Sequence, residues 1–349
     1  MTHEKYLKDI ERYHKIINFE NLKNKSILIT GATGLIGSYL IDLLINENIK
    51  NNSNIKIYPV SRNKEKLQKR FSNYYNNHLF CPIIQDVCTQ LEIDGEIDYI
   101  IHGASNTHPV AYSTDPIGTI TSNVFGLYNL LNLAVKKNTK KLLFLSSVEI
   151  YGENDKEIDE FSEKDLGYID CNTLRAGYPE SKRLGESLCQ AYIQKHNLDI
   201  VIARISRVYG PTLQKTDTKA LSQFINNVLE DKDIVLKSQG TQYYSYAYVG
   251  DVVQALILLI DKGVNGEAYN ISDKNSNIHL KDLAKLIADY GNKKVIFDLP
   301  SEIEQKGFSK ATKAIIDSSK ISKLGYKPIT NLEIGIPTTI EILKEKRDS

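Results

Sequence analysis

Residues 25–37, Lys-Ser-Ile-Leu-Ile-Thr-Gly-Ala-Thr-Gly-Leu-Ile-Gly, leave this chain few folds to choose from. Ile27, Leu28 and Ile29 form an apolar run that suits a buried strand and is too short for a helix. Glycines follow at 31, 34 and 37, and residues 38–44 continue as an amphipathic helix. A strand that enters a helix through a tight glycine turn presents free N–H groups and the positive end of the helix dipole to one point. A pyrophosphate can approach there. A plain turn before a helix can carry the same glycines, so the spacing G-x-x-G-x-x-G needs support from the rest of the chain.

That support is an alternation of strands and helices. Residues 55–60 predict a second strand, closing at Ser61-Arg62-Asn63-Lys64, and residues 80–85 a third, closed by Asp86. Residues 97–101 predict a fourth, leading into His102-Gly103-Ala104-Ser105. A helical pattern spans 119–135, then a fifth strand 141–147, a long helix 178–195 and a sixth strand 199–205. Such alternation implies right-handed crossovers and a parallel sheet covered on both faces. Past Pro211 the pattern changes: a helix at 218–229, a short strand at 234–236 and a Tyr-rich stretch at 240–247. An apolar helix at 252–260, a strand at 268–271 and helices at 280–289 and 332–343 complete the chain.

The expected fold class is α/β: a Rossmann-type doubly wound parallel sheet with a smaller α/β C-terminal substrate lobe, and 349 residues suffice for both. Residues 1–24 are expected to be a helical extension covering the sheet edge, from the spacing of Leu7, Ile10, Tyr13, Ile16 and Ile17. Residues 25–205, with interleaved 240–272, would form the dinucleotide-binding domain. Residues 206–239 and 273–349 would form the substrate lobe, with the substrate in the cleft between them.

Composition excludes several functions. Acidic and basic residues nearly cancel, to a formal charge of +1, so nothing favours nucleic acid or a membrane surface as partner. Cys81, Cys88, Cys171 and Cys189 show no C-x-x-C spacing, and the seven histidines include no H-E-x-x-H pair, so no metal site is expected. No apolar run reaches the ~18 residues of a membrane span. The first residues are charged and periodic rather than a signal peptide, and a cytoplasmic protein is expected.

Tyr178-Pro-Glu-Ser-Lys182 puts a phenol and an ammonium at i and i+4 on one helical face. Tyrosine is a poor base at neutral pH, and a neighbouring ammonium stabilises the phenolate. The same spacing also serves as a surface pair, but this one follows a strand ending in Ser146-Ser147, downstream of the glycine turn.

Taken together, the motifs resemble the extended short-chain dehydrogenase/reductase group that acts on nucleotide-activated sugars, the NAD-dependent epimerase/dehydratase family. They are Thr30-Gly31-x-x-Gly34-x-x-Gly37, Asp86, His102-Gly103-Ala104-Ser105 and Asn123-Val-Phe-Gly126-Leu-Tyr-Asn129. Ser146-Ser147-Val-Glu149-Ile-Tyr151-Gly152, Tyr178-x-x-x-Lys182, Arg204-Ile-Ser-Arg-Val-Tyr209-Gly210-Pro211 and Tyr248-Val-Gly-Asp251 follow. The likeness runs from about residue 25 to residue 344.

The resemblance implies a role for each position. Gly31, Gly34 and Gly37, with Thr33, Leu35 and Ile36 of the same turn, would hold the pyrophosphate; Asp86 and Val87 would meet the adenine. Gly103, Ala104 and Ser105 would line the cofactor, Ser105 also facing substrate, and Asn123 would order the backbone beside it. Ser147 would bond the reacting oxygen, Tyr178 would be its acid and base, and Lys182 would bind the nicotinamide ribose and bias Tyr178. Asp86 also reads as a simple turn residue. At the end of strand two, where NAD-preferring members carry a carboxylate, this chain has Ser61 and Arg62. These suit a 2′-phosphate and favour NADP(H) over NAD(H).

Departures from the family narrow the reaction. The 4,6-dehydratases place an acid where this chain has Val148, which disfavours water elimination. Glu149, Arg175 and the Tyr178–Arg183 segment look most like UDP-glucuronate decarboxylases, whose arginine falls at Tyr244 here. Arg207 stands where the family usually has asparagine. It would either supply the charge that position 244 lacks, clamping the substrate diphosphate, or pair with a local carboxylate. Glu149, Arg175, Arg207 and Tyr244 are thus the expected substrate-binding residues. The expected function is NAD(P)(H)-dependent hydride transfer on a nucleotide-activated sugar, by a keto-sugar reductase or an epimerase in surface polysaccharide precursor synthesis. A decarboxylase-like or dehydratase-like enzyme is the alternative, and a catalytically silent NAD(P)-binding sensor or scaffold is the alternative of another class. The resemblance also implies a homodimer.

Overall fold

The computed structural model describes all residues except 1–2, 106, 108–113, 155–157, 299–311 and 348–349, so part of the expected C-terminal lobe lies outside the described residues. Seven parallel strands form the main sheet: β1 (Ser26–Thr30), β2 (Lys56–Ser61), β3 (Ile83–Ile84), β4 (Tyr99–His102), β5 (Lys141–Ser147), β6 (Ile200–Ile205) and β10 (Ala268–Ile271). Their order is β3-β2-β1-β4-β5-β6-β10. The order reverses between β1 and β4, where loops from both strands open a crevice at their C-terminal ends.

Alternation along each strand divides the core. Ile27 and Ile29 of β1 join Leu143 and Leu145 of β5 in one cluster, while Leu28 joins Leu142 and Phe144 in the other. Helices α4 (Pro116–Lys137) and α5 (Gly177–His196) cover the second face. Helices α2 (Leu35–Asn51) and α7 (Val249–Lys262) cover the first.

The predicted third strand, 80–85, shrinks to Ile83–Ile84 and a single bridge between Phe80 and Ile57. Pro82 has no N–H to give to the ladder, which accounts for the break. The helical extension, α1 (Glu4–His14), does not cover a sheet edge as expected. It packs on α2, α7 and α9 (Leu332–Arg347). Tyr13 donates to Asp251 at 2.9 Å, and Tyr39 and Tyr248 both donate to Asp9, at 2.8 and 2.7 Å.

A second sheet holds β9 (Tyr243–Tyr248) between β11 (Asp273–His279) and β13 (Lys313–Ala314), with β7 (Arg207–Tyr209) also paired to β9. The Tyr-rich stretch at 243–248 therefore belongs to this small sheet, whereas α7 and β10 return to the main one; the expectation that all of 240–272 joins the main sheet is corrected. Among the described residues no helix is long and apolar enough to cross a membrane.

Candidate active site

The glycine turn closes directly against the loop after β4. Gly31 has φ +72°, and a Cβ there would sit 2.6 Å from the Gly103 carbonyl oxygen. A Cβ on Gly37 would run into the carbonyl oxygen of Gly31. Gly34 caps α2 with no side-chain bond, so the first-turn N–H groups keep their backbone-only setting. This cradle, too tight for any side chain, fits the pyrophosphate of a dinucleotide. Thr30 Oγ1 accepts from the Ala104 N–H at 3.1 Å and bonds His102 Nδ1 at 2.8 Å, joining the two loops. His102 is fully buried, and burial pushes its pKa down to about 3, so it is neutral. Ser105 follows, half-buried.

Sequence reasoning missed a strap over this turn. Thr212 donates to the Leu35 carbonyl at 2.8 Å and Gln214 donates to that of Thr33. Nothing in their type or spacing marks them. Ile36 is half-buried in the first turn of α2. Asp86 accepts from the Cys88 N–H at 2.9 Å, a turn role, and lies 3.7 Å from the exposed Arg62. Ser61 Oγ is engaged by the backbone of Asn63. Val87 packs under Gly126, and its carbonyl accepts from Asn129 at 2.9 Å.

The catalytic candidates converge at the end of β5. Ser147 hydrogen-bonds Tyr178, and both Tyr178 and Lys182 are buried on α5. Asn123 donates to Ser181 at 2.9 Å, and Ser181 in turn donates to the Tyr178 carbonyl at 2.8 Å, a chain that ends on the backbone of the catalytic candidate. Lys182 lies beside Tyr178 without a direct bond to its hydroxyl among the described residues. Lys182 donates to the Leu145 carbonyl at 2.8 Å, and its Nζ lies 6.0 Å from the Tyr178 ring centroid. Burial pushes the Tyr178 hydroxyl up to about 12; Ser147 pulls it down and Glu149 adds to the rise. Burial also brings Lys182 down to about 8, opposed by Glu186.

Glu186 continues the spacing of Tyr178 and Lys182 by one more turn of α5, a signal the sequence held and reasoning passed over. It accepts from Ser146 at 2.6 Å and from Arg204 at 2.7 and 3.1 Å. Arg204 also donates to Tyr151 at 3.1 Å, and Tyr151 donates to Asn270 at 2.6 Å.

On the substrate side, Glu149 pairs with both Arg175 and Arg207, at 3.4 and 3.3 Å. The Arg207 guanidinium lies over the ring of Tyr244, 3.5 Å from its centroid. The two departures read from sequence are thus in contact, and Arg207 pairs with a local carboxylate. Val148 is buried and offers no proton.

A parallel sheet with a glycine cradle at its crossover and a Ser–Tyr–Lys set at the end of β5 defines an enzyme of the extended short-chain dehydrogenase/reductase type. The chain matches the NAD dependent epimerase/dehydratase family over residues 27–272 and belongs to it. It is 33% identical to UDP-glucuronic acid decarboxylase 3 of Arabidopsis thaliana, over 90% of this chain and 87% of that one. Its fold is similar to that of a UDP-glucose 4-epimerase from Thermotoga maritima (TM-score 0.78, 22% identity, 92% and 99% of the two chains). It is also similar to that of the UDP-glucuronic acid 4-epimerase of Bacillus cereus, solved with UDP-glucuronic acid and NAD (TM-score 0.76, 24% identity, 93% and 100%).

Proposed function

We propose that the protein oxidises a carbinol of a nucleoside-diphosphate sugar and reduces the resulting ketone within one turnover, as an epimerase. The observation that carries this reading is the Ser147–Tyr178 hydrogen bond beside the buried Lys182, next to the glycine cradle. Bound NAD(H) supplies the hydride acceptor and donor. Tyr178 accepts the carbinol proton as the phenolate, having first released its own proton to solvent, and returns it as the phenol when the ketone is reduced; Ser147 steadies the oxygen throughout. Lys182, directed at the Leu145 carbonyl, is placed to hold a ribose hydroxyl rather than to touch the sugar. With valine at position 148 no side chain completes an elimination there. Decarboxylation is the second reading, favoured by the 33% identity to a decarboxylase and by the positive charge of Arg207 seated on Tyr244.

Parallel incubations with NAD⁺ and with NADPH, each with a panel of UDP- and dTDP-sugars and their 4-keto forms, separate the readings. An epimer without net NADH supports the first, CO2 release the second, and stoichiometric NADPH consumption a reductase. Tight dinucleotide binding with no turnover of any sugar supports a sensor or scaffold.

The resident dinucleotide is NAD(H) in this proposal. The NADP(H) preference expected from Ser61 and Arg62 finds no support in the comparisons, and Arg62 already faces Asp86, whose carboxylate repels a 2′-phosphate. NADH is expected to bind more tightly than NADPH in a fluorescence titration, and Arg62→Ala to change NADH affinity by no more than about twofold. A preference for NADPH that disappears in Arg62→Ala would reverse this assignment.

The homodimer is proposed to form through the outer faces of α4 and α5, which leave Ile117, Ile120, Phe125, Tyr128 and Leu184 exposed. Phe125→Glu is expected to halve the mass seen by light scattering; an unchanged mass places the interface elsewhere. A cytoplasmic setting accords with four free thiols.

A further inference from the structure

Three charged groups meet beside the reacting hydroxyl and do not balance. Arg175 and Arg207 share the single carboxylate of Glu149. Among the described residues neither arginine has another ion pair, which leaves one surplus positive charge. The location is fixed by the backbone: the Glu149 N–H donates to Ser147 Oγ at 3.2 Å, and Ser147 bonds Tyr178. The surplus charge therefore lies at the reacting end of the substrate, within two residues of the serine that holds its oxygen.

Arg207 is also held in place more firmly than its one ion pair requires. Strand β7 runs parallel to β9 with Arg207 opposite Tyr246, and the guanidinium rests on the neighbouring Tyr244 ring. Stacking and a fixed strand register preorganise a planar fork of donors. Yet Arg207 Nη1 is buried and has no hydrogen-bond partner among the described residues. A buried charged donor without an acceptor is costly, and an anion brought by a ligand removes that cost.

We propose that Arg207 Nη1, supported by Arg175 and seated on Tyr244, receives the carboxylate of a hexuronate, so that the substrate is a nucleoside-diphosphate uronate rather than a neutral hexose. This rests on the nucleotide-sugar reading above and names its substrate class. Glu149 holds both guanidinium groups in position and leaves their net charge for the ligand. A neutral hydroxymethyl group in the same place leaves the donor unpaired, and sites of that kind discriminate strongly. The arginine that the resemblance places at position 244 is replaced by a ring that carries an arginine arriving from the adjacent strand. The positive charge has moved from one strand to its neighbour without leaving the site.

The test compares UDP-glucuronate with UDP-glucose, which differ only at C6, by calorimetry on the NADH-loaded protein, with the dTDP pair run in parallel. Wild type is expected to bind the uronate at least about tenfold more tightly than the hexose. Arg207→Gln is expected to lose that preference, with hexose affinity kept within about twofold. The exchange Arg207→Asn with Tyr244→Arg, which returns the charge to β9, is expected to regain it. Equal losses for both sugars place Arg207 on the diphosphate and overturn the proposal. So does a wild type that does not distinguish them, or an Arg207→Gln protein that still does. If wild type binds NADH but none of the four nucleotide sugars, it is the nucleotide-sugar reading that fails. Unchanged thermal midpoints exclude misfolding of the variants.

Discussion

Tyr178→Phe is expected to lower turnover by about 10²- to 10⁴-fold while leaving NADH and nucleotide-sugar affinity nearly unchanged. The substitution removes one oxygen from a buried ring whose position is set by neighbours it does not touch: Ser181 bonds the Tyr178 carbonyl, and Asn123 bonds Ser181. The backbone thus stays put and only the proton relay is lost. The pH dependence follows from the same surroundings. Burial holds the hydroxyl near 12, well above an ordinary tyrosine, with Ser147 opposing and Glu149 assisting. At neutral pH the group is therefore protonated, poised to donate, and sugar oxidation requires its deprotonation. Initial rates of oxidation should rise from pH 7 to pH 9, and the residual rate of Tyr178→Phe should lose that slope. Equal activity in the variant would remove Tyr178 from the chemistry.

The second large effect concerns stability. Arg204→Met should destabilise the fold by about 3–5 kcal/mol, read as a lower urea midpoint at constant slope. The arginine grips Glu186 through two nitrogens, and the pair is largely buried between β6 and α5. Removing the cation leaves the carboxylate in a poorly solvated place with, among the described residues, only Ser146 as side-chain donor. Replacing both partners, Arg204→Met with Glu186→Leu, should recover much of the loss, because the penalty belongs to the unpaired charge rather than to the absent bond. The single variant also leaves Glu186 unneutralised beside Lys182, so the ammonium should titrate above the value near 8 that burial now gives it. A single variant as stable as wild type would show that this network is dispensable.

The parts of this molecule that could be read from sequence are those with a short-range physical signature. The glycine cradle was legible because a strand, three glycines and an apolar helix are consecutive, and the parallel sheet was legible from the alternation of strands and helices. Tyr178 and Lys182 were legible because helical spacing places them on one face. What escaped has no local signature. Strand β11 is polar and irregular, with a register shift between Asp273 and Asn277, so no alternation marks it. Thr212 and Gln214 strap a turn from about 180 positions away in the chain, a distance no motif encodes. The direction of the Lys182 ammonium was not legible either, for a different reason. Spacing sets which residues are neighbours, but the Leu145 carbonyl decides where the ammonium points. Arg207 and Tyr244 stand between these cases, since each is a visible departure and only strand pairing shows that they touch.

The packing of α1 has a consequence for how the chain comes to be. The Glu4 and Lys5 N–H groups donate to the Glu345 carboxylate, and Lys5 pairs with Glu341. Helix α1 is therefore seated by contacts about 340 residues further along the chain. During synthesis the Tyr–Asp contacts of residues 6–13 have no complete partner surface until α7 and α9 have emerged. The glycine cradle can form early, but the apolar back of α2 stays uncovered until α7 has been made. Newly made chains are most open to chaperones and proteases along the face of α2 and α7 that α1 later covers.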